Sequence, residues 1–155
     1  DIDPNASIPG AEMTRDLRAA IAASDIVITC TPSAEAFIEA SHLHDGLFIA
    51  AVGADNPQKH EIEPHAMRGA RVVVDVIEQA ATMGDLYHAI DAGVMTRADV
   101  HAEIGDVIAG RATGRTDDAQ IFIFDSTGTA LQDVAAASIA LRRARERGLG
   151  TDIAF

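Results

Sequence analysis

Short runs rich in apolar and β-branched residues punctuate this chain at 26–29, 47–52, 71–76 and 121–124, the third opening on Arg71 and ending near Asp75. Such runs lack the alternation of a half-solvated strand and predict strands buried on both faces, as in parallel sheets. Helical spacing fills the intervals. Leu17, Ala20 and Ile21 form the apolar side of a short helix that Thr14 caps and Ser24-Asp25 ends. Residues 63–68 predict one or two helical turns, 78–92 a helix closed by Gly93, and 99–109 a helix closed by Gly110. The last helix has the plainest pattern: Ala130, Val134, Ala137, Leu141 and Ala144 share one stripe, with Leu131 beside it. Arg142, Arg143, Arg145 and Arg147 crowd its C-terminal end, where cations complement the helix dipole, and Gly148 is a natural terminator. Residues 151–155 predict a final edge strand.

Alternating strands and helices imply an α/β fold with a mainly parallel, doubly wound sheet. The closely spaced buried strands look like the second half of a Rossmann-like dinucleotide-binding sheet. No GxGxxG fingerprint is present, since Gly105 and Gly110 are helix-related and wrongly spaced. The usual phosphate loop is therefore expected upstream of Asp1 or not at all. The chain opens on Asp1 without Met, and its first ten residues carry two Pro and a Gly. These features suggest a fragment whose N-terminal half is missing.

Composition narrows the partners. Of 155 residues 48% are apolar, enough for one sizeable core, and the formal charge is −12. That charge disfavours nucleic acid and anionic membrane, because phosphates are repelled. It leaves room for a phosphate-bearing cofactor held by backbone N–H groups. No apolar run is long enough to span a membrane, and the lone Cys30 fits a reducing, cytoplasmic setting.

Two strand ends carry the candidate chemistry. Asp55 follows the 47–52 run, and Asp125-Ser126-Thr127-Gly128-Thr129 follows the 121–124 run. Open α/β sheets place ligands and reacting groups just beyond the C-terminal ends of their strands. Backbone N–H groups at Ser126, Thr127 and Gly128 suit a carboxamide or carboxylate, although helix capping by Ser126 or Thr129 explains the same residues. Asp125 is read as orienting this turn. Lys59 and Glu61 are read as surface groups steadying the turn after Asp55, and Cys30 as a small buried residue. His42 and His44 lack a third ligand, so no metal site is expected.

Three motifs, in order, resemble the ornithine cyclodeaminase/mu-crystallin family. They are Ser24-Asp25-Ile26-Val27-Ile28-Thr29-Cys30-Thr31-Pro32-Ser33, then Val52-Gly53-Ala54-Asp55-Asn56-Pro57-Gln58-Lys59-His60-Glu61, then Asp125-Ser126-Thr127-Gly128-Thr129-Ala130-Leu131-Gln132-Asp133. The likeness spans nearly the whole chain but only the C-terminal half of a usual member. It implies NAD or NADP as cofactor and a small amino or imino acid as substrate. It implies Asp55 as the catalytic acid or base near the nicotinamide. Thr31, Pro32 and Ser33 then resemble the wall beside the adenosine moiety. Val52, Gly53 and Ala54 let the backbone approach the nicotinamide, and Ser126, Thr127 and Gly128 make further cofactor contact. The implied organisation is a partial Rossmann-like domain at 1–128. By the same resemblance, residues 129–155 supply a helix and strand returning to a dimerisation domain, and homodimerisation or other self-association is expected.

The resemblance further implies hydride transfer between an amino acid and its imino or keto acid. Family reactions include alanine dehydrogenation, cyclic ketimine reduction, and ornithine cyclodeamination to proline and ammonia. Strict cyclodeaminases carry a G-G-D-C-P-G-K version of the second motif. Ala54 and Asn56 depart from it, which favours the dehydrogenase or ketimine-reductase side. A non-enzymatic cofactor binder or an inactive fragment are the rival expectations.

Overall fold

The computed structural model describes residues 7–151 and 153. Its strands are β1 (Ile26–Thr29), β2 (Phe48–Ala51), β3 (Arg71–Val74), β4 (Ala102–Glu103) and β5 (Phe122–Asp125). Its helices are α1 (Leu17–Ala22), α2 (Pro64–Arg68), α3 (Ile77–Ala80), α4 (Asp85–Asp91), α5 (Ile104–Ile108) and α6 (Ala130–Glu146). The strands form one parallel sheet in the order β1-β2-β5-β3-β4. A Rossmann-like α/β sheet with a long C-terminal helix is thus present as expected.

Thr29, Ala51, Asp125 and Val74 are register partners and make one row across four strands at the C-terminal end of the sheet. Side chains alternate along a strand, so this row shares its face with Val27, Ile49, Ile123 and Val72. That face packs on Ile21 of α1, Ala66 and Met67 of α2, and Leu86 and Ala89 of α4. Ile49, Ile62, Met67, Leu86 and Ile123 have no exposed surface. Full burial of each such aliphatic side chain contributes about 1.5–3 kcal/mol. On the opposite face Ile104 and Val107 of α5 line an apolar groove with Phe48, Val73, Phe122 and Phe124.

The structure corrects several expectations. β1 is not buried on both faces: Ile26 and Ile28 are 63% and 69% exposed, and Cys30, next on that face, is exposed too. A β-branched run reports strand propensity, but what covers it is decided elsewhere in the structure. The helix expected at 78–92 is broken into α3 and α4 at Gly84, whose φ is +83°. The carboxylate of Asp125 accepts the Leu86 N–H at 2.8 Å and, more weakly, the Asp85 N–H at 3.4 Å, capping α4 from another strand. The segment 99–109 is not one helix. A 3₁₀ turn at Arg97–Asp99 is followed by β4, which pairs with β3, and only then by α5. A two-residue strand is too short to leave a periodic trace. Asp16, not Thr14, caps α1, accepting the Ala19 N–H at 2.9 Å.

α6 runs without a break and ends as its sequence predicts. Gly148 has φ +64°, the Leu149 N–H donates to Ala144 O, and the Gly148 N–H donates to Arg145 O. These paired bonds form a Schellman terminus. No residue of α6 is buried. The edge strand expected at 151–155 falls largely outside the described residues.

Candidate functional site

Parallel pairing brings the C-terminal ends of β1, β2 and β5 side by side, and the ladder runs on to Val52 N–H on Thr29 O and Ser126 N–H on Ala51 O. The turns leaving those ends carry every sequence-predicted site residue. Thr31, Pro32 and Ser33 leave β1, Val52 to Asp55 leave β2, and Ser126 to Gly128 leave β5. Pro32, Asp55 and Gly128 are exposed, Thr31, Ser33, Val52 and Ser126 half-buried, and Gly53, Ala54 and Thr127 buried. The His60 N–H donates to Ser33 O at 2.8 Å, lacing the first two loops together.

Asp55 stands free of the packed interior, its side chain 54% exposed. Lys59 Nζ lies 2.8 Å from its Oδ1, and Asn56 Nδ2 donates to the same oxygen at 3.1 Å. The Lys59 ammonium holds this carboxyl below its ordinary range, so it is ionised at neutral pH. Lys59, partly exposed, thus steadies the turn after Asp55 as expected.

Glu61 is not a surface group. It has no exposed area and its carboxylate accepts four hydrogen bonds. Thr31 N–H and Thr31 Oγ1 donate to Oε1, both at 2.7 Å. Thr29 Oγ1 donates to Oε2 at 2.7 Å and the Gly53 N–H donates to it at 2.9 Å. Two pairs of donors aimed inward from neighbouring strand ends make burial of a carboxylate tolerable. The same crowding explains Gly53: a Cβ there collides with Glu61 Oε1 and with the backbone N and O of Thr31. No spacing rule signals this arrangement, because Glu61 lies thirty residues from Thr31 in sequence.

Beneath the rim the acids continue. Asp85 Oδ1 accepts the Glu61 and Ile62 N–H groups at 2.7 and 2.8 Å, while its buried Oδ2 has no partner among the described residues. Burial pushes the Asp85 carboxyl up to about 7, with the Glu61 charge adding to the effect. Burial and the neighbouring Asp85 push the Asp125 carboxyl well above the carboxylate range. The buried polar residues are Thr29, Glu61, Asp75, Asp85, Asp125 and Thr127, so no buried cation balances these acids among the described residues.

Asp75, past the end of β3, organises the third turn. It accepts from Ser126 Oγ at 3.0 Å, from the Gly128 N–H at 2.9 Å and from Gln132 Nε2 at 3.4 Å. Gln79 Nε2 donates to Thr127 Oγ1 and Gly128 O. Two N–H groups of this turn are therefore engaged within the protein: Ser126 on Ala51 O and Gly128 on Asp75. Thr129 takes the N-cap position of α6, as one reading expected, but without a side-chain cap bond, and Ser126 turns to Asp75 instead. Asp125 orients α4 rather than its own turn. Among the described residues no cluster of three His, Cys, Asp or Glu is placed to hold a metal, and His44 instead meets Asp45 O and Ile21 O.

The family description "Ornithine cyclodeaminase/mu-crystallin family" matches residues 10–148. Alanine dehydrogenase of Archaeoglobus fulgidus is 43% identical over 131 residues, 84% of this chain and 41% of that protein. The solved structure of an archaeal alanine dehydrogenase dimer with bound NAD superposes with a TM-score of 0.80 at 43% identity, covering 84% of this chain and 41% of that one. The Delta(1)-pyrroline-2-carboxylate reductase of Thermococcus litoralis, in complex with NADH and L-proline, superposes at 0.84 with 30% identity, covering 88% of this chain and 43% of that one. The chain spans about two fifths of the length of the relatives it matches.

Proposed function

The chain belongs to the ornithine cyclodeaminase/mu-crystallin family, and from that premise we propose that it forms the C-terminal part of an NAD(P)-dependent oxidoreductase. The substrate is a small amino acid, interconverted with its imino or keto acid in the manner of an alanine dehydrogenase or a cyclic ketimine reductase. One observation carries this reading: an exposed, ionised Asp55 stands at the strand-end rim between the turns at Thr31–Ser33 and Ser126–Gly128.

The residues present fit a dinucleotide. Three adjacent turns at strand C-termini offer polar backbone and hydroxyl groups in the place where such sheets take nucleotides. Thr31, Pro32 and Ser33 line the adenosine side, Val52, Gly53 and Ala54 the nicotinamide side, and Ser126, Thr127 and Gly128 the remaining edge. The bound nicotinamide supplies the acceptor or donor of hydride. Asp55 does the proton chemistry: ionised, it takes the proton released as the amine becomes an imine, and in reduction it returns that proton.

Residues 1–128 form the nucleotide-facing part, and 129–155 pass into a dimerisation domain. An α6 with no buried residue, and with Leu131, Val134 and Leu141 exposed, supports a helix that packs against something beyond this sheet. The exposed Cys30 suits a cytoplasmic, reducing setting.

The test is turnover by the intact protein. L-alanine with NAD+ and pyrroline-2-carboxylate with NADH are assayed side by side, with Asp55→Asn lowering either rate by about a hundredfold or more. Release of proline and ammonia from ornithine without net NADH marks a cyclodeaminase instead. NADH binding without turnover marks the non-enzymatic branch.

A further inference from the structure

We propose that Glu61 is a positioning residue that sets the gap between the tips of β1 and β2, and thereby where Asp55 stands relative to the bound nicotinamide; this rests on the functional reading above. Ladder pairing between these strands ends at the bond from Val52 N–H to Thr29 O. Past that point nothing in the sheet itself keeps the two chains together, yet the site lies just past it. The Glu61 carboxylate takes over there. One oxygen holds Thr31 by its N–H and hydroxyl, and the other holds Thr29 by its hydroxyl and Gly53 by its N–H.

Glu61 is itself fixed from three sides. Its N–H donates to Asp85 Oδ1, tying it to the start of α4. Its carbonyl accepts the N–H groups of Phe37 and Ile38 at 3.0 Å. The adjoining Ile62 bridges to Ile38. A rigidly held carboxylate with four donors, two from each oxygen's side, transmits its position to both tips. Thr31 belongs to one wall of the nucleotide site, and Gly53 precedes Asp55 by two residues. The missing side chain of Gly53 is what lets the carboxylate reach between them. An amide in place of the carboxylate turns an N–H₂ toward donors that already point inward, so one pair of bonds is replaced by repulsion.

The experiment compares the intact protein with Glu61→Gln, measuring NADH dissociation constant by fluorescence titration, steady-state turnover and melting temperature. Displacing a reacting group by a fraction of its contact distance costs one or two orders of magnitude, so Glu61→Gln is expected to weaken NADH binding by about tenfold and to lower kcat, with the KM for the amino or imino acid unchanged. A merely structural role lowers the melting temperature and leaves binding and kcat of the folded protein as they were, and that result overturns the inference. Thr29→Val removes one of the four donors without touching the rim, and is expected to raise the NADH dissociation constant by about threefold. If Glu61→Gln does not fold, unchanged binding and turnover in Thr29→Val overturns the inference in its place. Absence of NADH binding in the unaltered protein defeats the nucleotide reading itself, and this inference with it. Normal binding in every variant defeats this inference alone.

Discussion

The Asp85 N–H points at the Asp125 carboxylate from 3.4 Å, so two buried acids meet where α4 begins at the end of β5. One consequence is a pH dependence opposite to that of an ordinary salt-bridged acid. The folded Asp85 carboxyl titrates at about 7 against an ordinary 3.8. The folded chain therefore holds a proton that the unfolded chain has lost, and this stability is complete below 3.8 and declines as pH rises through about 7. Asp85→Asn keeps an oxygen for the Glu61 and Ile62 N–H groups and cannot ionise. Denaturant unfolding above neutral pH is expected to show it more stable than the wild type by roughly 1–3 kcal/mol, with a flatter pH profile. An unchanged slope would count against a proton held at this position.

Lys59 sets the charge of Asp55. Lys59→Met removes the ammonium that lowers the Asp55 pKa, so that pKa rises toward its ordinary value. The acidic limb of the pH–rate profile is then expected to move to higher pH, by about one unit or less because the pair is solvent-exposed. Stability changes by under ~1 kcal/mol, as for most surface pairs. An acidic limb that stays put assigns the titration to another group.

How far the sequence carries depends on what each element rests on. β1, β2, β3 and β5 rest on their own residues, and apolar runs at 26–29, 47–52, 71–76 and 121–124 mark them within two residues. The C-terminus of α6 rests on Gly148 and the rim turns on strand ends, so these too were legible. β4, the break at Gly84 and the burial of Glu61 rest on partners far away in sequence. Val73 pairs with Ala102, Asp125 caps α4, and Thr29, Thr31 and Gly53 surround Glu61. A charged residue six places after another acid reads as a solvated turn until those donors are known. Ile26 and Ile28 failed in the other direction, since an apolar run says nothing of what lies over it.

Gly84 tests the break between α3 and α4. Its φ of +83° is unfavourable to any side chain, and a Cβ there meets Thr127 Cγ2 at 2.6 Å and Asp125 Oδ1 at 3.0 Å. Gly84→Ala is expected to cost about 2–4 kcal/mol in thermal or denaturant unfolding. Gly105 lies in α5 with nothing within 4 Å of its Cβ position. Gly105→Ala is expected to be neutral or to stabilise by about 0.5–1 kcal/mol. Equal effects of the two substitutions would contradict this account.

The exposed stripe of α6 predicts self-association. Leu131, Val134 and Leu141 are 76%, 64% and 54% exposed. Sedimentation of the wild type is expected to show a species larger than one chain, and Val134→Asp to weaken it by about tenfold or more, since a charge cannot be buried unpaired. A wild type that sediments as one chain at all concentrations removes α6 as a dimer contact.

The hydrogen bonds beneath the rim also bear on how this scaffold changes its chemistry over time. Glu61, Asp85 and Asp125 form one net, joined through Thr29, Thr31, Gly53 and the first turn of α4. A replacement at any knot pulls on two loops at once, so those positions have little freedom to vary alone. Asn56 and Gln58 lie outside the net: the Asn56 amide donates to Asp55 and accepts the Gln58 N–H. Asn56 is also one of the positions where the chain parts from the strict cyclodeaminase motif. A change of residue on that short outer loop therefore leaves the acids below, and the frame they hold, undisturbed.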